Sequence, residues 1–174
     1  SPNIWPTEEI PEFEAHFKAL GQLIVSVGKL IAKQCDNYVE KKMPNYSAGR
    51  LSRIIETSLC CKARLLHYFP SDVVQESNND EEDFSSWCGW HNDHGSLTGL
   101  TSAMYFNAEN GDVVTNNDSK AGLYIRGRNG LLIKAAFPGD QIAFQIGETA
   151  QIHSGGVLQA TPHAVRGSTD TTIC

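Results

Sequence analysis

Hydrophobic spacing changes period near residue 60, and that change limits the chain to a helical lead-in followed by a β-rich body. Between Thr7 and Lys42, Phe13, Phe17, Leu20, Leu23, Ile24, Val27, Leu30 and Ile31 recur at three- and four-residue steps. Such spacing lays them along one stripe of a helix, and the stripe is predicted to pack against the rest of the fold. Pro11 suits the first helical turn, where a missing N–H costs nothing. Pro44-Asn45 breaks the pattern, and a second, shorter helix is predicted from Ser47 to about Ser58 with Leu51, Ile54 and Ile55 inward.

Beyond that point the texture is one of short strands and turns. Cys61 to Phe69 reads as a strand ending at Pro70, and Gln75 to Asp83 as a solvated acidic loop. Asn129-Gly130 sits between the apolar runs Gly122–Arg126 and Leu131–Lys134, a hairpin signal. Pro138-Gly139-Asp140 marks a turn before a strand at Gln141–Ile146, and Gly155-Gly156 precedes a last strand at Gln159–Arg166. The fold expected is mainly β with N-terminal helices: a helical segment, residues 1–58, on a jelly-roll or cupin-like barrel, residues 59–174. A chain of 174 residues suits one such domain.

Charge and cysteine content narrow the partners. The net charge is −6 without a basic cluster, which argues against binding a nucleic-acid backbone or an anionic membrane. The longest apolar stretch, around Leu23 to Val27, is far too short to span a bilayer. Five cysteines, an odd number with no Cys-x-x-Cys pair, suggest neither a disulfide framework nor a structural zinc site, so a cytoplasmic monomer is expected.

The chemistry is concentrated at His91-Asn92-Asp93. Extended backbone alternates its side chains, so His91 and Asp93 point one way and Asn92 the other. A third ligand must come from elsewhere, and His163 on the last strand is the best candidate. Two histidines and a carboxylate on one face of an ion leave the opposite face open, as in the facial triad of non-haem Fe(II) oxygenases. A zinc hydrolase can use the same ligands.

The phrases around these residues resemble a known family. Trp90-His91-Asn92-Asp93-His94-Gly95-Ser96-Leu97-Thr98 is similar to the first iron-ligand segment of the isopenicillin N synthase-like Fe(II)/2-oxoglutarate-dependent oxygenases. Gly122-Leu123-Tyr124-Ile125 resembles their next strand, and Pro138-Gly139-Asp140 leads to Phe144-Gln145-Ile146-Gly147-Glu148 as in that family. The run from Ser154 to Val165 resembles the segment carrying the distal iron histidine. The phrases keep the family's order and cover most of Cys61 to Ser168. The resemblance implies a double-stranded β-helix with Fe(II) on His91, Asp93 and His163. It also implies 2-oxoglutarate and O2 as cosubstrates, and oxidation of a small organic molecule with succinate and carbon dioxide as co-products. By the same alternation, His94 is expected to be structural.

Four residues fall at positions bearing on the cosubstrate: His67, Phe69, Arg166 and Ser168. Leu66-His67-Tyr68-Phe69-Pro70 resembles the family's Asn-Tyr-Tyr-Pro segment, which places Phe69 where a cosubstrate-binding tyrosine stands, and a phenyl ring cannot donate that hydrogen bond. Arg166-Gly167-Ser168 has the Arg-x-Ser form that holds the far carboxylate. It comes too early, however, and Arg166, three residues after His163, should face the opposite side. The strand that would carry the usual Arg-x-Ser is expected beyond Thr172, so the barrel is expected to lack its last strand and the chain to be a fragment. Iron binding with a weak cosubstrate grip follows, with a metal-binding pseudoenzyme as the alternative.

Overall fold

The computed structural model describes residues 3–70 and 87–174; the acidic run Gln75–Asp83 lies outside the described residues. Helix α1 spans Phe13–Glu40 and α2 spans Arg50–Thr57. The first helix starts later than its apolar spacing predicts. Residues 7–9 form a turn instead, with Ile10 N donating to Pro6 O at 2.8 Å, and Trp5 folds back onto Phe13 and Phe17 with ring centroids 5.9 and 5.8 Å away.

The face that α1 buries is not the stripe of its largest residues. Gly28, Ala32, Asp36 and Val39 are buried, whereas Leu20, Leu23 and Leu30 remain 42%, 53% and 67% exposed. Close approach selects small residues: a Cβ on Gly28 would lie 3.4 Å from the Phe144 ring, and one on Gly99 would strike Ile24 at 2.4 Å. The helix therefore sits directly on strands β2 (Leu97–Thr101) and β7 (Ile142–Ile146). Asp36, 2% exposed, ties the two helices together. Its carboxylate accepts from Tyr46 Oη (2.6 Å), Leu51 N (2.8 Å), Ser52 N (2.8 Å) and Ser52 Oγ (2.7 Å). Gly49, at φ 64°, makes the left-handed turn into α2 that brings those donors round.

The remaining strands are β1 (Cys88–His91), β3 (Tyr105–Phe106), β4 (Val113–Val114), β5 (Gly122–Arg126), β6 (Leu132–Ala135) and β8 (His163–Arg166), with a short helix α3 (Glu148–His153) between β7 and β8. They form a four-stranded sheet in the order β1-β8-β5-β6 and two-stranded sheets β2-β7 and β3-β4, every pairing antiparallel. The β5–β6 hairpin turns at Gly130, φ 76°, as Asn129-Gly130 predicts. The described strands do not close into a barrel.

Two expectations need correction. Cys61–Phe69 is not a strand: it joins no ladder among the described residues, and Leu65, Leu66 and Phe69 are 67%, 60% and 72% exposed. An apolar, β-prone run becomes a strand only where a partner offers its N–H and C=O groups. The last strand starts at His163 rather than Gln159: Thr161 N turns to Ile146 O (3.4 Å), and Pro162 has no N–H to donate, although its carbonyl accepts from Arg126 N at 2.9 Å. The terminal residues do pair: Ala108 N donates to Thr172 O (2.8 Å), Phe106 N to Cys174 O and Cys174 N to Phe106 O (both 3.0 Å), with Ile173 buried between. No helix among the described residues is long and apolar enough to cross a membrane.

Candidate metal centre

Strand β1 ends at His91, which lies directly opposite His163, the first residue of β8. The register slips by one between the pairs Cys88↔Val165 and His91↔His163. Such a bulge re-aims a side chain, and here the two imidazole centroids come to 4.2 Å. Asp93 follows β1 in the loop toward β2. Its backbone oxygen accepts from Glu148 N at 2.8 Å, and Gly147 N donates to Ser96 O at 3.1 Å. The loop can lie this close to the start of α3 because position 147 is glycine: a Cβ there would be 2.1 Å from Gly95 O.

His91, Asp93 and His163 converge. One ligating atom from each lies within 4.8 Å of the others. Asp93 Oδ1 is 3.9 Å from His91 Nε2 and 3.8 Å from His163 Nε2. His91 Nδ1 lies 2.7 Å from Gly89 O, and His163 Nδ1 3.0 Å from Thr161 O. A carbonyl oxygen can only accept, so each Nδ1 carries a ring hydrogen, and in the neutral ring each Nε2 turns its lone pair to the space shared with Asp93. Burial alone would push the Asp93 carboxyl up. Hydrogen bonds from Thr98 and Gln145 and the two imidazoles outweigh it and hold the group below the ordinary carboxylate range. His163 is buried while the His91 side chain is 42% exposed, so the cluster opens to solvent on the His91 side. Neutral imidazole nitrogens, one carboxylate oxygen and an accessible side suit a divalent transition metal.

The other candidates lie elsewhere. His67 and Phe69 are exposed and stack on each other, centroids 4.5 Å apart. Between them Tyr68 turns inward and stacks on Trp87 at 5.5 Å. Arg166, opposite Gly122 on β5, sits three residues along β8 from His163 and acts electrostatically on Asp118 and Tyr124. Ser168 is buried in the loop after β8, where its hydroxyl donates to Asn116 Oδ1 (3.3 Å) and accepts from Asp170 N (3.1 Å). His67 is not in the ligand group formed by His91, Asp93 and His163. His94, 92% exposed at its side chain, pairs with Glu148 at 2.7 Å, and Asn92 donates to the same carboxylate at 3.2 Å.

The residues that sequence reasoning missed are those that hold the loop and the ligands: Gln145, Thr98 and Glu148. Gln145 had a readable signal, an amide interrupting Ile142-Ala143-Phe144-Gln145-Ile146 on the face opposite Phe144.

No family model matches the chain, and no curated protein matches it. Solved structures do. A candidate 2OG-Fe(II) oxygenase family protein from Caulobacter crescentus is 19% identical, with a TM-score of 0.61 over 98% of this chain and 45% of that one. A candidate oxygenase from Shewanella oneidensis is also 19% identical, with a TM-score of 0.63 over 99% of this chain and 54% of that one. The chain shares their fold. It spans about half the length of each. At this identity the likeness speaks to the fold, and the geometry of the centre is this chain's own.

Proposed function

We propose that the chain carries the metal-binding region of an Fe(II)- and 2-oxoglutarate-dependent oxygenase of the isopenicillin N synthase-like type. Its β-strands would belong to a double-stranded β-helix with residues 1–58 packed outside, and its substrate would be a small organic molecule. The observation that carries this reading is the convergence of two imidazole Nε2 atoms and one carboxylate oxygen on a space open at one side. His91, Asp93 and His163 would hold the ion. When bound, iron and 2-oxoglutarate supply the oxidising chemistry, with succinate and carbon dioxide as co-products. The chain's own part is to turn both Nε2 atoms toward the ion by holding each Nδ1 on the Gly89 or Thr161 carbonyl, and to keep Asp93 ionised.

Metal binding without turnover is a second reading. It is favoured because Phe69, at the position where the resemblance places a cosubstrate-binding tyrosine, is exposed and stacks on His67, and Ser168 spends its hydroxyl on Asn116. The experiment that tests the proposal is an anaerobic titration of 2-oxoglutarate into the Fe(II) form, following the metal-to-ligand charge-transfer band, with succinate then measured after oxygen is admitted. A band with weak affinity and succinate above the metal-free control supports the oxygenase. Tight Fe(II) binding with neither band nor succinate supports the second reading.

A further inference from the structure

The two oxygens of Asp93 have different surroundings. Oδ1 faces the Nε2 atoms of His91 and His163 at 3.9 and 3.8 Å. Oδ2 accepts a 2.6 Å hydrogen bond from Gln145 Nε2. The same amide nitrogen lies 3.1 Å from His163 Nε2. With Nδ1 donating to Thr161 O, the neutral His163 ring has its Nε2 lone pair placed to accept the amide's second hydrogen. Gln145 thus spends both amide hydrogens on two members of the triad. It also comes from a different sheet: β7 pairs with β2, Thr98 opposite Gln145, whereas His91 and His163 belong to β1 and β8. On β7 its neighbour Phe144 points the other way, against α1. An inward-facing amide on an otherwise apolar strand has a specific task, since an aliphatic side chain would fill the same place without needing partners.

We propose that Gln145 is a positioning residue that makes Asp93 a one-oxygen metal ligand. By occupying Oδ2, it leaves Oδ1 as the oxygen offered to the ion and prevents the carboxylate from chelating through both. That keeps a coordination position free for an exchangeable ligand. The inference rests on the metal-centre reading above. The arriving ion takes the lone pair on His163 Nε2, so the 3.1 Å contact is given up while the bond to Asp93 remains. Of the two, the short bond to an ionised acceptor is the stronger, so removing the amide should weaken metal binding rather than relieve a competitor.

The test uses Co(II) alone as a spectroscopic probe, titrated into the wild-type chain and the variants Gln145→Met, Gln145→Glu and Asp93→Ala. Methionine matches the length and flexibility of glutamine but offers no donor. Gln145→Met should lower Co(II) affinity by about 10–100-fold, as loss of an outer-shell partner typically does. It should also alter the visible Co(II) bands, because a two-oxygen carboxylate changes the ligand field. A merely structural role would lower thermal stability without moving those bands. Gln145→Glu, which sets a second carboxylate against Asp93 in the same space, should change the bands in a different sense by adding a ligand oxygen. If Gln145→Met folds poorly, the Gln145→Glu spectrum still decides. In the wild type, the Gln145 amide hydrogen on Asp93 should resist exchange with solvent both before and after Co(II) is added, whereas the one facing His163 should lose protection when Co(II) binds. Wild-type affinity and wild-type bands in both Gln145 variants would overturn the assignment while leaving the centre intact. Equal, negligible Co(II) binding by wild type and Asp93→Ala would remove the centre itself, and the role of Gln145 with it.

Discussion

Asp36 and Asp93 are both shielded carboxylates whose hydrogen bonds outweigh the cost of burial and hold them below the ordinary range, yet they serve different ends. Asp36 accepts four hydrogen bonds shared between its two oxygens, all from α2 and the turn before it. Nothing is left for a ligand. Asp93 takes hydrogen bonds from Gln145 and Thr98, and its Oδ1 faces the Nε2 atoms of His91 and His163 at 3.9 and 3.8 Å, too far for a hydrogen bond. A satisfied carboxylate closes a fold, and one left facing other acceptors needs a cation. The partners, more than the burial, separate the structural acid from the chemical one.

The largest expected effect separates the two acids outright. Asp93→Ala should abolish Fe(II) or Co(II) binding and leave the melting temperature of the metal-free chain within a few degrees of wild type. Asp36→Ala should do the reverse. It strands buried donors from Tyr46, Leu51 and Ser52 and should cost about 3 kcal/mol, read as a fall of roughly 6–12 °C in melting temperature. A melting loss in Asp93→Ala as large as in Asp36→Ala would erase the distinction.

Gly147→Ala should fall between them. Its methyl group would meet Gly95 O, which is backbone and cannot swing aside. Overpacking of this kind costs about 1–3 kcal/mol, and the strain falls on the loop that carries Asp93, so metal affinity should drop as well. Calorimetry on the same sample reads both, and retention of full affinity would show that the loop yields elsewhere.

Acid sensitivity comes next. A carboxyl depressed by folding contributes stability that is present above its unfolded pKa, about 3.9, and lost as pH falls through its lower folded value. Between those limits the unfolded chain binds more protons, so stability rises with pH. Asp36→Asn should flatten the acid limb of a urea-unfolding series below about pH 4; an unchanged limb would assign it to other groups. The smallest effect is expected at His94→Ala. The His94–Glu148 pair is open to solvent, and such pairs contribute little, so Co(II) affinity should change less than about threefold. A larger change would mean that the pair holds the loop more firmly than Asn92 and Gly147 do.

Much of this was legible in the sequence, for identifiable reasons. The β5–β6 hairpin is local, written in Asn129-Gly130. The His91–Asp93 convergence was read from backbone alternation, although β1 ends at His91 and Asp93 reaches the same space from the loop. What was illegible depended on partners remote in sequence. The Cys61–Phe69 run has strand composition but no strand beside it, so composition misled. The large apolar residues of α1 predicted its buried face only in part: Ile24 reaches Gly99, but Leu20, Leu23 and Leu30 stay exposed, and close contact with Phe144 falls to Gly28. Asp36 looked like one more polar residue at a helical spacing. Its role became visible only once α2 folded back to bring Ser52 and Leu51 to it. Gln145 was the closest miss: its inward parity was readable, but its two acceptors come from opposite ends of the β region.

The three donors of the centre also come from separate places: the end of β1, the loop after it and the start of β8. An ion held by all three would therefore be a cross-link between chain segments. Whatever binds only the folded form adds RT ln(1 + [L]/Kd) to its stability, about 2.7 kcal/mol when the free ion stands a hundredfold above Kd. A chelator would then loosen the seam between β1 and β8 in proportion to the ion's affinity. The protein's resistance to heat becomes a gauge of metal supply, readable before any substrate is known.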